Sequence, residues 1–157
     1  MKLLLYSFCV LFCFYLVHAR EKPNLIYIVC DDLGYGDLGC YGQKVIKTPR
    51  FDRMAKEGLR FTDHYAGHTV CRPSRLVYLV GKHTAHTAIA GNNMHILPKG
   101  SVTVTSLLKE AGYKTGGVGK WALGPLGSTG HPCKQGFDFF YGDLDQSEAH
   151  DSYPDHL

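Results

Sequence analysis

The chain is poor in the features that mark several large protein classes. Its 17 basic residues stand against 14 acidic ones, a net charge of +3 with the nine histidines neutral, and no segment gathers Lys and Arg. That argues against a nucleic-acid partner. No Cys-x-x-Cys pair occurs, so zinc-ribbon and thioredoxin-type chemistry lack support. No Asn-x-Ser/Thr acceptor for N-glycosylation is present. The histidines at 64, 68, 83, 86, 95, 131 and 150 make no H-E-x-x-H pair, and most of them read as surface groups or satisfied core groups. The 18 glycines follow no period, which excludes collagen and simple repeats. Six cysteines in 157 residues are too few for a disulfide-scaffold miniprotein.

The composition is otherwise that of a globular domain, 45% hydrophobic and 20% charged, with a length that suits one domain. The first stretch reads as a targeting signal. Lys2 supplies the positive start, Leu3 to Val17 run apolar, and Val17-His18-Ala19 places small residues where a signal peptidase reads, with cleavage after Ala19. The apolar run falls short of the ~20 residues that span a bilayer, so no stable membrane span is expected. Residues 1–19 are thus assigned to a signal peptide and 20–157 to the mature chain, which enters the secretory pathway. Cys30, Cys40, Cys71 and Cys133 remain after cleavage. In an oxidising compartment they allow two bridges in three pairings.

Asn24 to Cys30 (NLIYIVC) is a continuous apolar, β-branched run, the pattern of a strand covered on both faces of a parallel sheet. Thr48-Pro49 predicts an N-cap and first helical residue, Phe51, Met54 and Ala55 give helical spacing, and Gly58 is the C-cap. Leu59 to Tyr65 reads as a second strand. A helix opens at Cys71-Arg-Pro-Ser-Arg, with Leu76, Leu79 and Val80 on its apolar face. Thr103 caps a short helix through Ala111, with Leu107 and Leu108 inward and Gly112 as its stop, and Tyr113 to Val118 reads as another strand. The tail from Gly130 lacks clear periodicity. Alternation of strands and helices predicts an α/β protein with a mostly parallel sheet and flanking helices.

Three centres carry chemistry. Asp31 and Asp32 follow the first strand, at the end where ligands of open parallel sheets bind. Adjacent carboxylates repel unless a cation neutralises them, and hard oxygens suit calcium or magnesium. Taken alone, such a pair more commonly comes from an ordinary helix cap or solvated turn. Cys71 opens a helix, where the dipole and the charges of Arg72 and Arg75 favour a thiolate, although a disulfide partner or a small buried residue also fits. Lys120, after a strand, is placed to hold an anion, against the plain reading of a surface lysine.

Together these segments resemble the arylsulfatase A-like sulfatase family. The likeness is carried by Asn24–Gly42 (NLIYIVCDDLGYGDLGCYG), by Thr48–Gly58 (TPRFDRMAKEG), and by Cys71-Arg-Pro73-Ser-Arg75, which is similar to the C-x-P-S-R signature. Gly119-Lys120-Trp121 and Gly136-Phe137-Asp138-Phe139-Phe140-Tyr141-Gly142 match two further boxes, so the resemblance runs from about Pro23 to the end. It implies a partial alkaline-phosphatase-like (sulfatase) fold and hydrolysis of sulfate esters by a secreted or lysosomal enzyme. It also implies that Cys71 is converted to formylglycine by the formylglycine-generating enzyme, which reads Cys71, Pro73 and Arg75. One hydroxyl of the hydrated aldehyde attacks sulfur, and the aldehyde re-forms as sulfate leaves. By matching positions, Asp31, Asp32 and the modified Cys71 bind calcium, Arg75 orients the aldehyde hydrate, and Lys120 holds sulfate.

Departures from the pattern fall near this chemistry. Ala122 stands where the family has His, a loss that typically costs ~10²–10⁴-fold in rate. Val80-Gly81-Lys82 replaces Thr-Gly-Arg, and Ile89-Ala90-Gly91-Asn92 replaces Ile-Arg-Gly-Asn. Family members are several times longer, and calcium takes six to eight oxygens. The expectation is therefore an N-terminal portion of a sulfatase domain, truncated and weak or inactive by itself. The competing expectation is a non-catalytic pseudo-sulfatase that binds sulfated glycans. A phosphoester hydrolase of the same superfamily is a third reading. The substrate, aryl sulfate or sulfated glycan, is left open.

Overall fold

The computed structural model describes residues 22–87, 91–93 and 95–151. The signal peptide expected at 1–19, and Ile89 and Ala90 of the altered Ile-Ala-Gly-Asn stretch, lie outside the described residues. The chain divides into two compact units, Met1–Gly34 and Tyr35–Leu157.

In the first unit, residues 22–30 have no strand assignment, although an apolar strand is the sequence expectation there. Their side chains are exposed, Ile26 at 86% and Tyr27 at 75%. Composition favours an extended backbone, but a strand also needs a ladder partner, and that is a tertiary property. Asp31 and Asp32 form an exposed turn in which Asp32 takes a left-handed backbone (φ 58°), a conformation Asp tolerates because its short carboxylate bonds locally.

The second unit starts with two single-turn 3-10 segments, Tyr35–Asp37 and Gly39–Tyr41, followed by helix α1, Pro49–Glu57. Thr48 is the N-cap residue as expected, yet its hydroxyl does not cap α1. It accepts from the Gly39 N–H (2.8 Å) and donates to Asp52 Oδ1 (3.1 Å), while Asp52 Oδ1 also accepts from the Cys40 N–H (2.6 Å). The 3-10 turn is thereby pinned to α1. A side chain at Gly39 would strike the Asp52 carboxylate, so the close approach needs glycine there. The strand expected at Leu59–Tyr65 does not form; the segment is irregular. Its Phe61 carbonyl accepts from the Tyr41 hydroxyl (2.8 Å), and Thr62 donates to Asp63, local bonds that compete with a ladder.

Helix α2, Cys71–Val80, buries Arg72, Pro73, Arg75, Leu76 and Leu79, a face at helical spacing. Gly81 ends it in a left-handed conformation (φ 63°), donating to the Val77 carbonyl. Helix α3, Val104–Glu110, starts with a reciprocal capping box between Thr103 and Ser106. Leu107 is 52% exposed, contrary to the inward placement expected. The buried positions are instead Thr103 and Thr105, whose hydroxyls both donate to the Gln135 carbonyl (2.8 and 2.6 Å). Thr105 and Leu107 are two residues apart and so face opposite sides of the helix. Gly136 packs on this turn, where a Cβ would meet the backbone of Thr105 and Ser106.

Strands β1 (Gly116–Val118) and β2 (Phe139–Tyr141) pair in parallel, Gly117 opposite Phe140. β1 is shorter than the Tyr113–Val118 expectation, and β2 falls in the tail where no element was expected. Thr115 joins their starts: its N–H donates to Asp138 Oδ2 (3.0 Å) and its hydroxyl to the Gly136 carbonyl (2.6 Å). The core consists of Leu76, Leu79, Leu97, Trp121 and Leu123, with Phe137, Phe140 and Leu144 packed against it. Trp121, Phe137 and Phe140 stack edge-on with ring centroids 5.8–6.0 Å apart, and the Trp121 indole donates to the Gly130 carbonyl (2.8 Å). The helices and the parallel pairing make this an α/β unit. No helix among the described residues is long and apolar enough to cross a membrane.

Candidate functional site

Cys71 is the first residue of α2, half-buried, preceded by Val70 in extended backbone (φ −116°, ψ 149°). The extended-to-helical change at Val70 sets Cys71 on the N-terminal turn, where unsatisfied N–H groups make a positive field. The His68 imidazole shapes the approach: its Nδ1 accepts from the Val70 N–H (3.1 Å). His83 and His131 play the same local role ahead of short turns, accepting from Ala85 and Cys133. All four described cysteines, Cys30, Cys40, Cys71 and Cys133, are unpaired thiols, so the two bridges allowed by the sequence are not formed.

One turn into α2, Arg75 is buried, and its guanidinium Nη1 donates to the carbonyl oxygen of Lys120 (2.5 Å). Arg72 is also buried, with Nε on the Ala122 carbonyl (2.6 Å), Nη1 on the Asn92 carbonyl (2.5 Å) and its backbone N–H on Asn92 Oδ1 (3.1 Å). Both arginines are thus engaged by main-chain acceptors. The Lys120–Ala122 segment is held on its other side by β2 and the loop after it. Gly119, Trp121 and Ala122 donate to the carbonyls of Tyr141, Asp143 and Leu144 (2.9, 2.9 and 3.1 Å). Gly142 has φ 137°, and a Cβ there would strike the Gly119 backbone, so this crossing also requires glycine.

The structure therefore brings Cys71, Arg75 and Lys120 onto adjoining segments of one unit. Asp31 and Asp32 lie in the exposed turn of the other unit. Among the described residues no three His, Cys, Asp or Glu side chains gather around a point where a metal ion would sit. Two carboxylates and a soft thiol fall short of the six to eight oxygens calcium takes, so the described residues do not complete a calcium site.

Asn92 and Ala122 were not legible as site-builders. Ala122 is buried and left-handed (φ 66°), an unusual backbone for alanine, and its carbonyl meets Arg72. One signal for the arginines did exist: positions 72, 75, 76 and 79 share a helical face, which places both guanidiniums with Leu76 and Leu79. Asp145 sits near this cluster. Its carboxyl is held below the usual range by hydrogen bonds from Ser147 and, more weakly, by the charge of Arg72. An open cleft lined by Gly81, Lys82, His83 and His86 lies at the far end of α2, about 15 Å along the helix from Cys71.

Comparison with known proteins places this architecture. The sulfatase family model matches residues 23–156. The chain is 40% identical over 136 residues to human arylsulfatase D, covering 77% of this chain and 23% of the relative. It is 47% identical over 132 residues to N-acetylgalactosamine-6-O-sulfatase of Bacteroides thetaiotaomicron, covering 77% and 26%. Among solved structures, Ps i-CgsB superposes with a TM-score of 0.74 at 40% identity, over 80% of this chain and 29% of that one. The same protein has been solved in complex with k-i-k-neocarrahexaose. The chain belongs to the sulfatase family, and its α/β architecture is part of the alkaline-phosphatase-like sulfatase fold. It spans about a quarter of the length of the curated relatives it matches.

Proposed function

We propose that the protein serves sulfuric ester hydrolysis, with residue 71 as nucleophile and residues 20–157 as the N-terminal part of a sulfatase domain behind a signal peptide at 1–19. The observation that carries the reading is the Arg75–Lys120 hydrogen bond, which joins the C-x-P-S-R helix to the G-K-W segment. Converted to formylglycine by the formylglycine-generating enzyme, residue 71 would offer a hydrated aldehyde: one hydroxyl would attack sulfur and displace the alcohol of the ester, and the aldehyde would then re-form with loss of sulfate and take up water again. The chain's own residues supply the rest. The N-terminal turn of α2 favours negative charge at residue 71. Arg75 would orient the aldehyde hydrate, and the Lys120 cation would hold the sulfate oxygens as the S–O bond breaks. Asp31 and Asp32 would lend hard carboxylate oxygens to a calcium ion, which needs further oxygens to reach six to eight.

The substrate class is a sulfate ester, aryl sulfate or sulfated glycan, met in the secretory pathway, either secreted or in lysosomes. One observation favours a second reading, a non-catalytic binder of sulfated glycans: Ala122 offers no acid–base group next to Lys120. Turnover of an aryl sulfate and of the matching aryl phosphate, by the wild type and Cys71→Ala, separates the readings. Sulfate release that disappears in Cys71→Ala supports the hydrolase. Phosphate release alone points to a phosphoester hydrolase. Binding of a sulfated glycan without any turnover supports the binder.

A further inference from the structure

We propose that Arg72 is a positioning residue that holds the Lys120–Ala122 segment against the first turn of α2. Its functional consequence rests on the sulfatase reading above; its geometry does not.

Arg72 is 3% exposed. A buried cation at a helix N-terminus opposes the local field, which favours anions, so it persists there only with strong acceptors. The acceptors are the carbonyls of Ala122 and Asn92, with the Asp145 carboxylate close enough to sense its charge. Ala122 is turned for this contact. Its left-handed backbone sends the N–H to Leu144 and the carbonyl to Arg72.

The arrangement has two points of attachment. Arg75 holds the Lys120 carbonyl, and Arg72, one turn earlier, holds the Ala122 carbonyl two residues further on. A single attachment leaves the segment free to pivot; two fix its direction as well as its place. The Lys120 side chain branches from the backbone just before the first of these points, so its direction follows how the segment is held. A lysine at position 72 would carry the charge but not the planar fork that serves the Ala122 and Asn92 carbonyls together.

The test compares Arg72→Lys and Arg72→Ala with the wild type in two measurements. The first is hydrogen exchange at the amides of Trp121 and Ala122. The second is binding of inorganic sulfate followed by the emission of Trp121, the chain's one tryptophan. Losing the Arg72 fork should speed exchange at these two amides about tenfold or more and weaken sulfate binding about tenfold, while the Ala111 amide at the end of α3 keeps its wild-type rate. Unchanged exchange in Arg72→Lys overturns the proposal. Faster exchange at Ala111 as well overturns it too, since the loss would then be one of general stability. Sulfate affinity that stays constant while local exchange rises removes the positioning role. If Arg72→Ala does not fold, Arg72→Lys decides. A wild type that binds no sulfate counts against the hydrolase reading, and exchange at Trp121 and Ala122 still decides whether Arg72 holds the segment.

Discussion

Arg75 donates to the carbonyl of Lys120, 45 positions along the chain, and so couples the helix that presents residue 71 to the segment that presents the second cation. Because the guanidinium is buried, Arg75→Ala should act on both activity and fold. With the proposed role of Arg75 in orienting the residue 71 hydrate, its loss predicts a fall in kcat of about 10²–10³ on an aryl sulfate. Loss of the Arg75 hydrogen bond to the Lys120 carbonyl should cost about 1–3 kcal/mol of stability. Steady-state kinetics and urea unfolding of the same variant check the two effects separately.

Leu79 is 3% exposed in the core cluster with Leu76, Leu97, Trp121 and Leu123. Leu79→Ala should destabilise the second unit by about 2–5 kcal/mol through the cavity it leaves. A lower urea midpoint at unchanged slope is the expected signature.

Lys109 and Asp138 form an ion pair at 2.7 Å that ties α3 to the start of β2. The Lys109 hydrogen bond, followed by the Thr115 N–H, lowers the Asp138 carboxyl from 3.8 to about 2. The folded value lies below the unfolded one, so the pair stabilises the fold above the unfolded pKa. That contribution fades as pH falls from about 4 towards 2. Asp138→Asn should therefore melt below the wild type at neutral pH and converge with it near the acid end, which thermal melts at stepped pH will show.

Ala122 holds a left-handed backbone that glycine adopts without strain, so Ala122→Gly should raise stability by about 1 kcal/mol. Histidine is enriched in that conformation relative to other side-chain-bearing residues. Ala122 is buried, so the larger side chain of Ala122→His should cost about 1–3 kcal/mol of stability by overpacking, while a hydrogen-bonding group two residues after Lys120 should raise aryl sulfate turnover at least about tenfold. A lower rate in a folded Ala122→His protein contradicts that role for the position.

What the sequence revealed and what it hid divide along physical lines. Local signals were faithful: Pro73, Leu76 and Leu79 located α2, and Thr103 marked the cap of α3. Features that depend on distant partners were not legible. NLIYIVC carries a strand's composition yet no ladder partner among the described residues, and β2 was missed because Phe139-Phe140-Tyr141 is too short for a periodicity. The G-F-D-x-F-x-G box, noticed as a likeness, proves structural in this unit: Gly136 permits contact with α3, Phe137 and Phe140 pack on Trp121, and Asp138 pairs with Lys109. At the site, residue type and position marked Cys71 and Lys120 only weakly, and the grouping of Cys71, Arg75 and Lys120 came from the likeness to the sulfatase boxes. The acceptors of Arg72 and Arg75 could not be named, because main-chain carbonyls leave no mark in a sequence.

The central claim is that residue 71 is the nucleophile of a sulfatase, and the mass of the peptide containing it tests this most directly. The protein should be isolated from its natural source, digested and analysed without reduction of aldehydes. The account predicts a residue 71 mass that matches formylglycine, with reactivity toward a hydrazide. A residue 71 found only as an unmodified cysteine thiol in the isolated protein would contradict it.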